Sequence, residues 1–580
     1  MKNYFYLIVL SLLTQSLVAQ TQIAGNVSDI NGGALPGATI VQKGTTNGTV
    51  ADMDGNFKIA INNVPATLVF SFVGYATQEI EVSAQTTLRV LMEPESYNLS
   101  GVEVVGTRSL NRSVTESMVP VDLIDVASLT AANGQLDINQ LLQYTAPSFN
   151  SNRQSGSDGA DHIDPATLRG LGPDQTLVLI NGKRYHQSSL INIFGTRGRG
   201  NTGTDLNTIP AAAIERIEIL RDGASAQYGS DAIAGVINIV LKDNVNEFTG
   251  NVNTGAYLAQ YNFDAGAIDG ENLQLNGNYG FKIGESGFVN VTADYHYRGH
   301  TNRAEFTSDF PDHLDVRNQY GDAEVADFSA WFNMQVPLNA NTHFYAFGGS
   351  GNRNVEAFAY TRAANEDRNV VDIYRKGFDP IIASVVNDHS LSTGLRGDIK
   401  GWDVDFNMST GKNKMHYYGR NTLNASLGSA SPTEFDDGGF SLMQSSTSID
   451  FSRYFNEVLR GLNIAYGAEY RIDNYTIFAG EEGSWYNYGG LFIDGGDTTT
   501  RPGGSQGFPG FQPSDVTDEY RSNVGVYLDV EADITNDFAL SAALRYEDYS
   551  DFGNTITGKL AARYAISDKY AIRGSVSNGF

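Results

Sequence analysis

From about Phe248 onward the chain alternates apolar and polar residues with a period of two. In residues 288–298, Val289, Val291, Ala293, Tyr295 and Tyr297 fall on one face of an extended strand, and Asn290, Thr292, Asp294 and His296 on the other. Residues 462–473 repeat the pattern: Leu462, Ile464, Tyr466, Ala468, Tyr470 and Ile472 oppose Asn463, Glu469, Arg471 and Asp473. The alternation continues through 524–532, 538–546, 560–566 and 570–576. It predicts roughly thirteen strands between residues 248 and 577. A soluble sandwich alternates too, so the connections carry more information. Gly284 to Gly287, Thr535-Asn536-Asp537 and Ser567-Asp568-Lys569 are tight turns, whereas 299–328, 353–389 and 474–520 are long and rich in Gly, Asp and Asn. Short turns on one side and long loops on the other are the layout of an outer-membrane barrel. Such a barrel must close, because an open sheet edge in lipid leaves backbone groups unpaired. Large plugged barrels have about 22 strands, and the last strand here runs almost to Phe580, so residues 244–580 are expected to be a C-terminally truncated barrel.

Residues 113–243 mix periods instead. Ile138, Leu141 and Leu142 recur at helical spacing within 137–144, and Pro147 follows. Residues 176–180 form a continuous apolar strand ending in Asn181-Gly182, a strong hairpin signal. Ile214, Ile217 and Ile219 follow Pro210 and predict a short helix passing into a strand, and 232–241 predicts another buried strand. Together these indicate a compact α+β domain. Residues 21–96 predict a small β-sandwich, with short β-rich runs punctuated by Asn31-Gly32-Gly33, Asn47-Gly48, Asp54-Gly55 and Asn62-Asn63. Between the two, 97–112 is a polar linker around one apolar patch, Val102-Glu103-Val104-Val105-Gly106, a stretch suited to adding a strand to a partner's sheet.

The N-terminus adds an export signal. Lys2, a short apolar run to Leu13 and the small residue Ala19 match a secretory signal peptide over residues 1–20. No later window offers the ~20 apolar residues a spanning helix needs, so a membrane protein of this sequence crosses by strands.

Composition narrows the classes further. The chain has 62 Gly, 30 Phe and 30 Tyr among 580 residues, which suits turns and strands. It has 0 Cys, which excludes disulfides, thiolate metal sites and a Cys nucleophile. A net charge of −27 argues against nucleic acid as a partner. Gly198-x-Gly200-x-x-Gly203 lacks the strand-to-helix context of a dinucleotide site, and Gly503-Gly504-Ser505-Gln506-Gly507 lacks that of a nucleophile elbow. Asp52 to Asn56 starts like a calcium loop, but Phe57 stands where the turn glycine would be. The His residues show no metal-ligand spacing. No catalytic residue, metal site or cofactor is expected.

Several segments resemble known families. Gly25-x-Val27, Leu35-Pro36-Gly37-Ala38, Gly48-Thr49, Asp54-Gly55-x-Phe57 and the run from Phe70 to Tyr75 resemble the carboxypeptidase regulatory-like sandwich. Leu168-Arg169-Gly170-Leu171-Gly172 with Thr176 to Arg184 is similar to the first half of the plug of TonB-dependent outer-membrane receptors. The run from Ile214 to Gly223, then Ala226-x-Tyr228-Gly229-Ser230 and Ala234 to Ile239, is similar to its second half. Leu544-Arg545-Tyr546-Glu547 and the ending Ser577-Asn578-Gly579-Phe580 resemble barrel motifs of that family. The combination with a regulatory-like module in front is typical of Bacteroidota receptors.

The resemblance implies an importer, not an enzyme, in a Gram-negative outer membrane, with substrate bound between the long loops and the plug apex. It implies that Val102 to Gly106 is the TonB box, exposed to the periplasm, where it would pair with TonB driven by ExbB and ExbD. Ser100 and Gly101 depart from the commoner acidic residues before the box. The resemblance also implies that Arg169 and Arg221 of the plug latch onto a barrel carboxylate such as Glu547. Arg197 and Arg199, in the loop 194–204, are expected to face substrate. The substrate classes it allows are siderophore-iron, cobalamin, oligosaccharide and peptide. A surface lipoprotein lid, as in glycan importers, ranks second, because the strand from Leu177 to Gly182 departs from the form usual there. A non-transporting signalling receptor is the alternative function.

Overall fold

Alternation of Phe57, Ile59 and Ile61 with Asn56, Lys58 and Ala60 gives the strand Asn56–Ile61 one buried face. In the computed structural model that face closes a sandwich. One sheet pairs Asn56–Ile61, Thr21–Asp29 and Thr87–Met92, and the other pairs Gly48–Val50, Thr39–Gln42, Ala66–Phe72 and Tyr75–Val82. Ile23, Ile40, Leu68 and Phe70 are fully buried between them, and Phe57 meets Phe70 edge-on at 5.4 Å. Asp52 Oδ1 accepts from the N–H groups of Asp54 and Asn56, so this carboxylate oxygen is used within the turn.

The structure describes residues 21–580 except 30–32, 46, 62–63, 73–74, 84–86, 93–104, 110–116, 133–136, 194, 260–266, 285, 305–318, 495–496 and 568–569. The expected signal peptide, most of the linker with Val102, Glu103 and Val104, and the turn at Asp568-Lys569 lie outside the described residues. The chain divides into two compact units, Met1–Val102 and Glu103–Phe580.

The second unit begins with the plug, a five-stranded sheet in the order Lys183–Arg184, Thr176–Ile180, Gly235–Leu241, Ile214–Leu220, Val121–Asp125. The helix Ile138–Thr145 buries Ile138, Leu141 and Leu142 as its spacing requires. Asn181 and Gly182 take φ of 47° and 77°, the positive values a two-residue hairpin needs, and Ile180 pairs Lys183 across them. One expectation changes. Ile214, Ile217 and Ile219 all lie on the strand Ile214–Leu220, and the helical part is confined to the single 3-10 turn Ala211–Ala213. Branched side chains buried on both faces favour the strand, and a helix would leave one of those faces exposed.

Thirteen strands follow in one antiparallel sheet, each paired with the next in sequence. They are β1 Phe248–Ala259, β2 Ala267–Ile283, β3 Gly287–Arg298, β4 Glu324–Asn339, β5 Thr342–Phe358, β6 Ile381–Ile399 and β7 Trp402–Arg420. After them come β8 Phe435–Phe455, β9 Leu462–Ala479, β10 Thr517–Asp533, β11 Phe538–Tyr549, β12 Gly553–Ser567 and β13 Tyr570–Ser577. Connections alternate as expected: 284–286, 340–341, 400–401 and 534–537 on one rim, and 299–323, 359–380, 421–434 and 480–516 on the other. The strands are longer than the sequence suggests, because 324–328, 353–358, 381–389 and 474–479 belong to strands. A tilted spanning strand needs ~9–11 residues, whereas β8 has 21. The surplus stands beyond the apolar band, where polar residues suit strand or loop equally and sequence cannot tell them apart.

The polarity of the two faces separates a membrane barrel from a soluble sheet. On β3, Asn290, Thr292, Asp294, His296 and Arg298 are buried, and Val291 and Tyr295 are exposed. On β10, Asn523, Asp529 and Glu531 are buried, while Val524, Val526 and Leu528 are 46–49% exposed. Water would drive these faces the other way round. Apolar residues outside and ionised residues inside form a wall solvated by lipid around a polar interior.

Candidate coupling segment and plug–barrel interface

Of the expected box, Val105 and Gly106 are described, and Val105 is 3% exposed. This end is therefore folded into the protein, contrary to the expected exposure, because the plug supplies partners for its backbone. The Val105 N–H donates to Glu218 Oε2 at 3.0 Å and the Gly106 N–H to the Tyr228 hydroxyl at 2.9 Å. Glu218 is fully buried on the plug strand and is held by Arg216 Nε at 2.9 Å and Asn238 Nδ2 at 3.1 Å. Gly106 has φ of 95°, and a Cβ there would lie 3.0 Å from Val119 and 3.2 Å from Leu220, so the bend requires glycine.

The next residues bind the barrel. The Thr107 hydroxyl and the Arg108 N–H both donate to Glu531 of β10 at 2.8 Å. The Arg108 guanidinium lies 4.9 Å from the ring centres of Tyr228 in the plug and Tyr527 in the barrel, and donates to the Gln227 carbonyl at 2.8 Å. Ser452 of β8 donates to the Arg108 carbonyl at 3.0 Å. Four residues, 105–108, therefore bridge the plug sheet and the barrel wall.

The three residues expected to form a plug–barrel latch are not brought together. Arg221 pairs with Asp122 of the neighbouring plug strand at 2.9 Å. Arg169, at φ 57°, turns back on its own domain and donates to the Ala234 carbonyl at 3.2 Å. Glu547 shares the inner face of β11 with Arg545 and pairs with it at 3.2 Å. Other residues span the interface. Lys183, beside the hairpin turn, reaches Asp405 at 3.0 Å and Asp450 at 3.5 Å. Asp222 meets Lys559 at 2.9 Å, Asp205 meets Arg353 at 2.8 Å, and His186 meets Asp388 at 2.9 Å. Asp137 caps Arg153 of the plug and lies 3.3 Å from Arg298 and 3.5 Å from His296 of β3. Burial alone would raise its pKa, but Arg153, His296 and Arg298 outweigh it and hold the carboxyl below the usual range. The sequence signal for these pairs is charge on the inner strand face, where His296 and Asp294 already stand. The plug partner is invisible in sequence; Arg353 and Asp205, for example, are 148 residues apart.

On the long-loop rim, Arg197 and Arg199 are exposed. The longest connection between barrel strands, 480–516, folds inward. Phe508 stacks on Tyr417 at 4.7 Å and Phe511 meets Phe440 at 5.8 Å, in a cluster that includes Ile163 and Leu190 of the plug. Gln506 ties three long connections together: its N–H and carbonyl both bond the Thr422 hydroxyl, and its side chain accepts from Arg362. Burial, with Asp161 alongside, pushes the Asp158 carboxyl in this region up to about 6.

A polar-lined barrel wall filled by a separate α+β domain, with a buried N-terminal segment tied to both, defines a plugged outer-membrane-type receptor. The comparisons place it within that class. The family model TonB-dependent Receptor Plug Domain matches residues 113–236, and TonB dependent receptor-like, beta-barrel matches residues 339–580. CarboxypepD_reg-like domain matches residues 23–105. The chain belongs to the TonB-dependent receptor family, whose members are receptors and not enzymes.

TonB-dependent receptor P39 of Formosa agariphila is 29% identical over 239 residues, 40% of this chain and 20% of that protein. The ferric enterobactin receptor of Pseudomonas aeruginosa is 31% identical over 198 residues, 34% and 24%. TonB-dependent receptor SusC of Bacteroides thetaiotaomicron is 27% identical over 252 residues, 42% and 24%. The matched segments thus cover only about a fifth to a quarter of the length of these relatives. Among solved structures, the siderophore receptor PirA from Acinetobacter baumannii superposes with a TM-score of 0.56 at 18% identity, covering 79% of this chain and 60% of that one. The ferric enterobactin receptor PfeA gives 0.57 at 16%, covering 79% and 62%. At these identities the likeness is one of fold.

Proposed function

We propose that this chain is the receptor of an energy-coupled importer in the outer membrane of a Gram-negative bacterium, sent there by residues 1–20. Substrate enters from the long-loop rim, near Arg197 and Arg199. Val102 to Gly106 pairs as an added strand with TonB, powered through ExbB and ExbD by the inner-membrane proton-motive force. Siderophore-iron, cobalamin, oligosaccharide and peptide all fit the framework.

The bridge made by residues 105–108 supports this reading most. A pull on the segment toward the periplasm loads Glu218 in the plug sheet and Glu531 in the barrel wall together. Release of Arg108 from between Tyr228 and Tyr527 removes one tie between the plug and β10 and leaves the Gln227–Asp529 bond as the next to break. Arg108, Gln227 and Tyr228 also line a polar cavity with Lys183, Arg184, Ser446, Ser448 and Glu469, where a passage would begin.

Deletion of residues 102–106 tests the proposal. With a ligand found by thermal-shift screening of the four substrate classes, the deletion is expected to abolish uptake while surface binding stays at the wild-type level. Unchanged uptake would refute energy coupling through this segment.

A further inference from the structure

The outward face of β7 changes character along its length. From the short turn at 400–401 it presents Val404, Phe406 and Met408, with Phe406 and Met408 42% and 54% exposed. Beyond Thr410 the outward positions are Lys412, Lys414, His416, Tyr418 and Arg420. Four of these last five are basic or imidazole side chains, in a chain of net charge −27. His416 is bonded to Asp436 at 2.7 Å and Arg420 pairs with Glu356. Among the described residues neither Lys412 nor Lys414 has a carboxylate within ion-pair distance; Lys414 lies 4.7 Å over the Phe478 ring.

Register extends the patch sideways. Lys412 lies opposite His389 of β6, and His389 opposite Ser350 of β5, to which it is bonded at 2.9 Å. Lys414 lies opposite Asn387, and Asn387 opposite Asn352, the two amides being joined at 2.9 Å. Directly toward the short-turn rim on the same face are Leu391 and Leu395, 43% and 45% exposed. A row of cations and amides thus borders the apolar band on the long-loop side. The face points away from the interior, so a transported substrate does not pass it.

We propose that Lys412, Lys414 and His389 form a site for the phosphorylated headgroup of an outer-leaflet lipid, with its acyl chains against Leu391, Leu395, Phe406 and Met408. Lysine stems can lie along the wall while their ammonium groups reach the interface, where they attract phosphate as compact charges. Apolar residues immediately below favour a lipid over a soluble anion. The inference rests on the outer-membrane reading above.

The test uses the full chain purified from membranes in detergent, with binding followed by native mass spectrometry. The probes are bisphosphorylated lipid A, the same lipid with both phosphates removed, and inorganic phosphate. Each lysine near an anionic headgroup is worth about five-fold, so K412Q/K414Q is expected to bind bisphosphorylated lipid A roughly 20–30-fold more weakly. K412R/K414R should retain binding, as should K400Q, which removes one charge from the same hairpin at the opposite rim. Heat-modifiable gel mobility confirms that each variant has an assembled barrel. Equal binding by K412Q/K414Q, equal binding of the dephosphorylated lipid, or displacement by millimolar inorganic phosphate would each overturn the site. A chain absent from the membrane fraction would overturn the outer-membrane reading itself.

Discussion

Leu528→Arg is expected to lower barrel stability by about 2–4 kcal/mol, the cost of a basic side chain near the bilayer midplane on a lipid-facing position. Leu528 is 47% exposed and lies between Tyr466 of β9 and Leu544 of β11, both outward and both exposed. In a soluble sheet the same change at a half-exposed position would move stability by less than about 0.5 kcal/mol. The neighbouring Asp529 serves as the contrast: it points inward and accepts from Gln227 of the plug at 2.9 Å. Asp529→Leu should disturb the plug contact without a penalty from lipid. Urea-dependent loss of heat-modifiable mobility in liposomes measures both.

Asp137→Asn is expected to cost about 3 kcal/mol, because it leaves Arg298 buried without its paired carboxylate, while the half-buried Arg153 keeps Asp164 at 2.9 Å. The effect depends on pH with a definite sign. Asp137 is held below the usual carboxylate range in the folded chain, so its contribution is fully present above the unfolded pKa of about 3.9. It is lost as pH falls below that value toward the folded pKa. Unfolding of the wild type between pH 5 and pH 2.5 should therefore show an acid-sensitive limb that Asp137→Asn flattens. Urea unfolding followed by tryptophan fluorescence across that range, in detergent-solubilised protein, reports it. Equal acid sensitivity in the two proteins would mean that Arg298 and Arg153 are compensated by other groups.

The strand order and the inward and outward assignment of residues such as Val291, Asp294 and Tyr470 could be read from sequence, because a period of two fixes the face once the strand is known. The hairpin at Asn181-Gly182 was equally legible, since few sequences support two successive positive φ values. The interface was not. Arg169 and Arg221 carry family motifs, yet backbone geometry aims one at its own domain and strand pairing hands the other to Asp122. The residues that do bridge plug and barrel, such as Lys183 with Asp405, are ordinary charges whose meaning comes from a partner far away in sequence. The inward fold of 480–516 was hidden for a related reason: Phe508 and Phe511 sit in a Gly- and Pro-rich run with no periodicity, so nothing local shows that they pack on Tyr417 and Phe440.

Spin labels placed singly at 523–531 in liposome-reconstituted protein test the lipid-facing wall most directly. Accessibility to oxygen, which concentrates in the acyl region, is expected to peak at 524, 526 and 528 and to fall at 523, 527 and 529. A water-soluble nickel reagent should find little at any of the outward positions. Easy access of the nickel reagent to 524, 526 and 528, or a chain that stays monomeric in buffer without detergent, would contradict the account.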